Sequence, residues 1–168
     1  MATFDDNTLY ILDSYGLIYR AYFAFISHPL TNSKGENISA VFGFFRNLAN
    51  VLQHYKPKCL VAALDSIGPT FRHDRYPEYK ANRPKSPDDL IAQIPWIEEI
   101  LETLGIPSIR VNGYEADDVI ATLARKCENA GRTCRILSGH KDLLQLVDDC
   151  VQILKPDPKG TWKVVGPQ

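Results

Sequence analysis

An α/β fold with a mostly parallel central sheet flanked by helices is predicted by three features of this sequence. Short apolar runs alternate with amphipathic stretches along the chain, the trace left by parallel strands and crossover helices. The runs are apolar throughout, as "CLVAALD" (59–65) is, and strands covered on both faces require that. Acidic residues recur just beyond the carboxyl ends of these runs, where open parallel sheets present their ligands.

The elements follow in order. "LYILD" (9–13) reads as a strand leading into the helix-like "SYGLIYRAYFAF". Over 38–55, Val41, Phe44, Phe45, Leu48, Val51 and Leu52 recur at helical spacing. The strand 59–65 comes next, and 87–105 reads as one helix despite Pro95, closed by Gly105. "SIRV" (108–111), the helix 115–131, the strand "CRIL", a helix from Lys141 to about Val147 and the strand "VQILK" (151–155) complete the alternation. "DPKGTWKVV" (157–165) reads as a turn into a last strand, and the stop at "VVGPQ" without a closing helix suggests a piece of something larger.

A chain of 168 residues fits one domain with a sizeable core. Its net charge of −1 points to neither nucleic acid nor membrane, so any such affinity has to come from local clusters. No apolar run approaches the ~20 residues of a membrane span, and "MATFDDNTLY" lacks a signal-peptide pattern, so a cytoplasmic protein is expected. Cys59, Cys127, Cys134 and Cys150 have no ligand spacing and read as reduced core thiols. The segment 68–87 differs from the rest. It is polar, contains prolines and is long for a plain connection, which predicts a functional, mobile element.

Asp13 follows the first strand, Asp65 the second, Glu115, Asp117 and Asp118 the third, and Asp142 the fourth. Helix dipoles stabilise an acid at a helix start by about 0.3–1 kcal/mol, which accounts for Glu115 or Asp142 taken singly. Two carboxylates ~5 Å apart, however, repel by roughly 3 kcal/mol at an effective dielectric near 20. A clustered set therefore calls for a cation, and all-oxygen ligands suit Mg²⁺ or Mn²⁺, as one ion or two. Carboxylate-held divalent ions promote attack of water on phosphodiesters. The segment 68–87 supplies Arg72, Arg75, Lys80, Arg83 and Lys85 among Phe71, Tyr76 and Tyr79, cations for phosphates and rings for unpaired bases. Arg20 lies just past Asp13.

These residues resemble a known family. "LYILDSYGLIYRAYFAF", "AALDSIGPTFRHDRYPEYKANRP", "GYEADDVIATLA" and "ILSGHKDLLQLV" are similar to the amino-terminal 5′ nuclease domains of bacterial DNA polymerases I, in the flap endonuclease family, over essentially the whole chain. The resemblance implies a PIN-like three-layer domain over 1–168, with 68–87 as a helical gateway or arch. It implies that Asp13, Asp65, Glu115 and Asp117 hold a first divalent ion, and that Asp118 and Asp142 belong to a second. Lys80 and Arg83 would contact the scissile phosphate, making Asp13, Asp65, Asp117, Lys80 and Arg83 the catalytic set. Arg20 and Arg72 would be further phosphate contacts, and Tyr76 a substrate contact. The implied activity is 5′→3′ exonuclease and 5′-flap endonuclease cleavage of DNA, and of RNA primers on DNA, in replication and repair. The substrates would carry a 5′ flap, a nick or a free 5′ end. The implied protein is a monomer near the nucleoid, continuous with a polymerase.

The chain departs from that family in two places. "SGHKD" has His140 where the family has an aspartate, and the helix-three-turn-helix element with further metal-binding aspartates is not among these residues. Imidazole is a poor ligand for Mg²⁺ but binds transition metals. His140 is thus a bystander, a ligand for Mn²⁺ or Zn²⁺, or a cation paired with Asp142 or Asp118. The competing functional reading is a catalytically weak or inactive module that binds branched or single-stranded DNA. A phosphatase of the haloacid dehalogenase kind would need a second aspartate where Tyr15 stands.

Overall fold

The computed structural model describes residues 4, 6–157 and 160–167. Its strands are β1 (Leu9–Asp13), β2 (Cys59–Leu64), β3 (Ser108–Arg110), β4 (Cys134–Leu137), β5 (Val151–Pro156) and β6 (Trp162–Val165). They form one sheet in the order β3-β2-β1-β4-β5-β6. Neighbours from β3 across to β5 run parallel, and β6 returns antiparallel to β5. The helices are α1 (Ser14–Ala24), α2 (Ser39–Tyr55), α3 (Phe71–Arg75), α4 (Asp88–Ile91), α5 (Ile94–Thr103) and α6 (Ala116–Asn129). This is the mostly parallel, helix-flanked sheet that the apolar alternation predicts.

Strand alternation sorts the core into two layers. Tyr10 and Leu12 of β1 face Leu17, Ile18 and Ala21 of α1, Phe44, Leu48 and Val51 of α2, and Ile97 and Leu101 of α5. Ile11 points the other way, into a cluster with Val119, Ile120 and Ala124 of α6. The strand order reverses at β1: β2 and β3 lie on one side of it, and the chain then crosses to β4 on the other. Such a switch point opens a crevice at the carboxyl ends of the strands.

Two elements differ from the sequence expectation. The stretch 87–105 is two helices, α4 and α5, with Pro95 in the first turn of the second. Proline lacks an N–H and is tolerated at a helix start but not in its interior. Gln93, fully buried at the break, accepts from the N–H groups of Ala40 (2.9 Å) and Val41 (3.2 Å). It thereby satisfies the start of α2, where Ile38 offers no side-chain cap. The helix expected from Lys141 is a 3₁₀ helix, Asp142–Leu146, ended by the extended backbone of Val147; so short a run favours the tighter winding. Cys127 and Cys134 are buried, Cys59 and Cys150 are half-buried, and all four are free thiols. Among the described residues no helix is long and apolar enough to cross a membrane.

Helices α1 and α2 approach closely at Gly43, where an added Cβ would lie 2.8 Å from the Cβ of Ala21. Gly43→Val should therefore destabilise the fold by about 1–3 kcal/mol, the usual cost of overpacking. Urea denaturation measures it, and an unchanged midpoint would contradict the packing described.

Candidate active site

The crevice at the switch point is a cleft of about 540 Å³ lined by Asp13, Asp65, Glu115, Asp117, His140 and Asp142, and also by Arg20, Lys80 and Arg83. Asp13 ends the central strand and is 5% exposed. Its carboxylate accepts from the N–H of Gly16 (3.3 Å) and from the hydroxyl of Ser138. Ser138 in turn accepts from the N–H of His140 (2.9 Å), which ties the loop after β4 to the end of β1. Gly16 is the residue this contact requires, because a Cβ there would lie 2.5 Å from Asp13 Oδ2. Asp65 follows β2. Its Oδ1 accepts from the N–H of Ala116 at the start of α6 (2.7 Å), and its backbone carbonyl accepts from Arg110 Nε (2.8 Å). The same helix start delivers Glu115 and Asp117 into the cleft.

Three residues singled out from the sequence lie elsewhere. Asp118 does not line the cleft. It accepts from the N–H of Glu115 (3.0 Å), as the third residue of a helix start can, and it takes both guanidinium arms of Arg72 at 2.7 Å. Arg72 is consequently committed to an acid rather than presented to the cleft, although its Nη1 also stands 3.8 Å from Glu115. Tyr76 is exposed and its hydroxyl donates to Glu78 (3.0 Å). Lys80 does reach the acids: its Nζ is 2.6 Å from Glu115 Oε1, and the Tyr79 hydroxyl donates to Glu115 Oε2 (3.1 Å). Arg20 and Arg83 line the cleft and are exposed.

Two of the cleft acids are held above the ordinary aspartate range, first of all by burial. Burial holds Asp13 above the ordinary aspartate range, against the hydrogen bonds from Ser138 and Gly16 and with the charge of Asp65 adding to the rise. Burial also raises Asp117; His140 opposes the rise, and Asp13, Asp65 and Glu115 add to it. Asp118 goes the other way, held low by its hydrogen bonds from Arg72. His140 stands between two acids, with Nδ1 3.1 Å from Asp117 and Nε2 3.9 Å from Asp142. Asp142 was expected as a partner and Asp117 was not.

Among the described residues no three His, Cys, Asp or Glu side chains stand in metal-holding geometry. The donor set nonetheless fits a hard divalent ion in kind: Asp13, Asp65, Glu115 and Asp117 offer only oxygens to one cleft. Sequence reasoning missed Ser138, Gly16 and Tyr79 as supports of these acids. The only local signal was a glycine inside an otherwise helical stretch, at Gly16.

Comparison with known proteins agrees with this architecture. Residues 8–168 match the family described as 5′-3′ exonuclease, N-terminal resolvase-like domain. The chain is 54% identical over 160 residues to a DNA polymerase I of Treponema pallidum (strain Nichols), covering 94% of this chain and 16% of that protein. It is 46% identical over 150 residues to a 5′-3′ exonuclease of Aquifex aeolicus (strain VF5), covering 89% of this chain and 51% of that one. The chain thus spans a minor part of the first relative and about half of the second. Among solved structures it is similar to a bacteriophage T5 flap endonuclease variant in a pseudo-enzyme–product complex with DNA and metal ions. That match has a TM-score of 0.64 at 19% identity, covering 88% of this chain and 54% of that one. It is also similar to T5 5′-exonuclease with zinc ions bound, at a TM-score of 0.63 and 20% identity, covering 95% and 58%. At such identities the likeness is one of fold.

Because Asp117 is raised, the folded chain binds its proton more tightly than the unfolded chain does. Its contribution to stability therefore falls as pH rises from the ordinary value of 3.8 through the folded value. Without divalent ions, Asp117→Asn should have a higher urea midpoint than the unsubstituted chain at neutral pH. The advantage should vanish below about pH 3.8, where both states are protonated. A lower midpoint at neutral pH would contradict the raised Asp117 carboxyl.

Proposed function

The chain belongs to the 5′-3′ exonuclease family through its N-terminal resolvase-like domain, and on that premise we propose that it hydrolyses DNA phosphodiesters from a 5′ end with the help of one or two Mg²⁺ or Mn²⁺ ions. Its substrates would be DNA with a 5′ flap, a nick or a free 5′ end, and RNA primers joined to DNA, in the cytoplasm. The observation that carries this reading is the meeting in one cleft of four acids (Asp13, Asp65, Glu115, Asp117) and three cations (Arg20, Lys80, Arg83).

Asp13, Asp65, Glu115 and Asp117 would hold the ion, with Asp142 at the outer edge. When bound, the ion supplies Lewis-acid polarisation of a phosphoryl oxygen and a water of lowered pKa. Lys80 and Arg83 would grip the scissile phosphate, set it in line with the attacking water and stabilise the charge that develops as the bond to the leaving oxygen breaks. Arg20, at the lip, would hold a neighbouring phosphate. Ser138 keeps the Asp13 carboxylate pointed into the cleft through its hydrogen bond. The segment 68–87 would serve as the gateway through which the 5′ strand passes, with Tyr76 against that strand and Arg72 freed for phosphate when its pairing with Asp118 opens.

A second reading is favoured by one contact: His140 occupies an oxygen of Asp117. On this reading the chain binds branched or single-stranded DNA and turns it over slowly or not at all. Incubation with a 5′-flap duplex in Mg²⁺ and in Mn²⁺ separates the two. The first reading expects release of the flap, faster for His140→Asp than for the unsubstituted chain. Salt-dependent DNA binding without cleavage by either would leave the binding module. Where cleavage occurs, Lys80→Met and Arg83→Met should each lower turnover about 10²-fold or more.

A further inference from the structure

Lys80 and Glu115 both line the cleft, and they are in contact at 2.6 Å. The contact is shielded, with 29% of the Lys80 side chain and 14% of the Glu115 side chain exposed. Both oxygens of Glu115 are engaged, Oε1 by Lys80 and Oε2 by the Tyr79 hydroxyl. A second fastening joins the same two elements, the bidentate pair of Arg72 with Asp118. The backbone of Lys80 is in the left-handed region, with φ 59, a conformation side chains rarely adopt. Strain of this kind persists where surrounding contacts over-determine a residue's position.

From these contacts we infer that Lys80 is a resident counter-ion on Glu115, exchanged during binding, so that a divalent cation at the acids and a DNA phosphate at Lys80 bind with positive coupling. The inference rests on the proposed function, which gives Glu115 to the ion and Lys80 to the phosphate. A dication arriving at Glu115 meets an ammonium already on one of its oxygens and repels it. A phosphate drawing Lys80 away removes that competitor and gives the ammonium a new partner. Each ligand therefore releases the group the other needs, and linkage makes the two effects equal in size. Neither the acids nor the cations of the cleft have this property by themselves; it comes from the bond between Lys80 and Glu115.

Mn²⁺ binding followed by the electron paramagnetic resonance of the free ion tests the coupling without reference to turnover. The titration is run with and without a short 5′-phosphorylated DNA oligonucleotide, after subtracting what the oligonucleotide binds by itself. In the unsubstituted chain the oligonucleotide should tighten Mn²⁺ binding by about tenfold, towards the lower end of typical couplings. Lys80→Met and Lys80→Gln should bind Mn²⁺ more tightly than the unsubstituted chain before any DNA is added, and respond to DNA several-fold less. Lys80→Arg should behave as the unsubstituted chain. A residue that only braces the segment would give the opposite sign, weaker Mn²⁺ binding when removed. Unchanged or weaker Mn²⁺ affinity in both neutral variants, or an undiminished response to DNA, overturns the inference while leaving the proposed function standing. No Mn²⁺ uptake by any of the four chains overturns both.

Discussion

An ionised aspartate at the end of a central strand, 5% exposed, has lost most of its water, and burial correspondingly raises the pKa of Asp13. The surrounding structure is arranged about that cost. Ser138 reaches Asp13 from the loop after β4, the turn into α1 offers the N–H of Gly16, and Gly16 has no side chain because the carboxylate occupies the space. Hydrogen bonds to the charged form lower its pKa but do not cancel the burial. Asp65 and Asp117 face the same cleft; the charge of Asp65 adds to the rise at Asp13, and that of Asp13 to the rise at Asp117.

The cations that pair with the acids at the start of α6 come from one stretch of chain. Arg72 holds Asp118, and Lys80 holds Glu115, both at the start of α6. These two acids had different claims on them. Asp118 sits where a helix start accepts a capping carboxylate, and its tight pairing with Arg72 makes it a structural clamp between α3 and α6. Glu115 lines the cleft, and its bond to Lys80 joins one of the cleft's acids to one of its cations. A helix-cap explanation thus covers Asp118, the contact of Asp65 with Ala116 and the bond of Asp13, the N-cap of α1, with Gly16, while Asp117 stands in the first turn of α6 and meets His140.

His140 alters the balance at Asp117 and Asp142. An imidazole between Asp117 and Asp142 replaces repulsion with a contact, and it lowers the pKa that burial raises at Asp117. The same contact occupies an oxygen that an incoming ion would use. Imidazole is also a softer donor than carboxylate, so the position is less suited to Mg²⁺ than an all-acid one. Stability gained by pairing and affinity for a hard cation pull in opposite directions here.

What the sequence alone determined follows from periodicity and adjacency. Short apolar runs such as "CLVAAL", rich in residues that suit strands covered on both faces, are strands here, and the acids at their ends are fixed in place by being the next residues along the chain. The four motif stretches likewise carried the family, which the match over 8–168 bears out. The tertiary structure alone decided which of those acids face one another and what each one holds. Ser138 meets Asp13 across 125 residues, and Arg72 claims Asp118 across 46. Pro95 opens a second helix so that Gln93 can cap α2 some 53 residues earlier. Such pairings depend on how crossovers bring distant segments together at the switch point. No repeat of two or 3.6 residues along the chain encodes that.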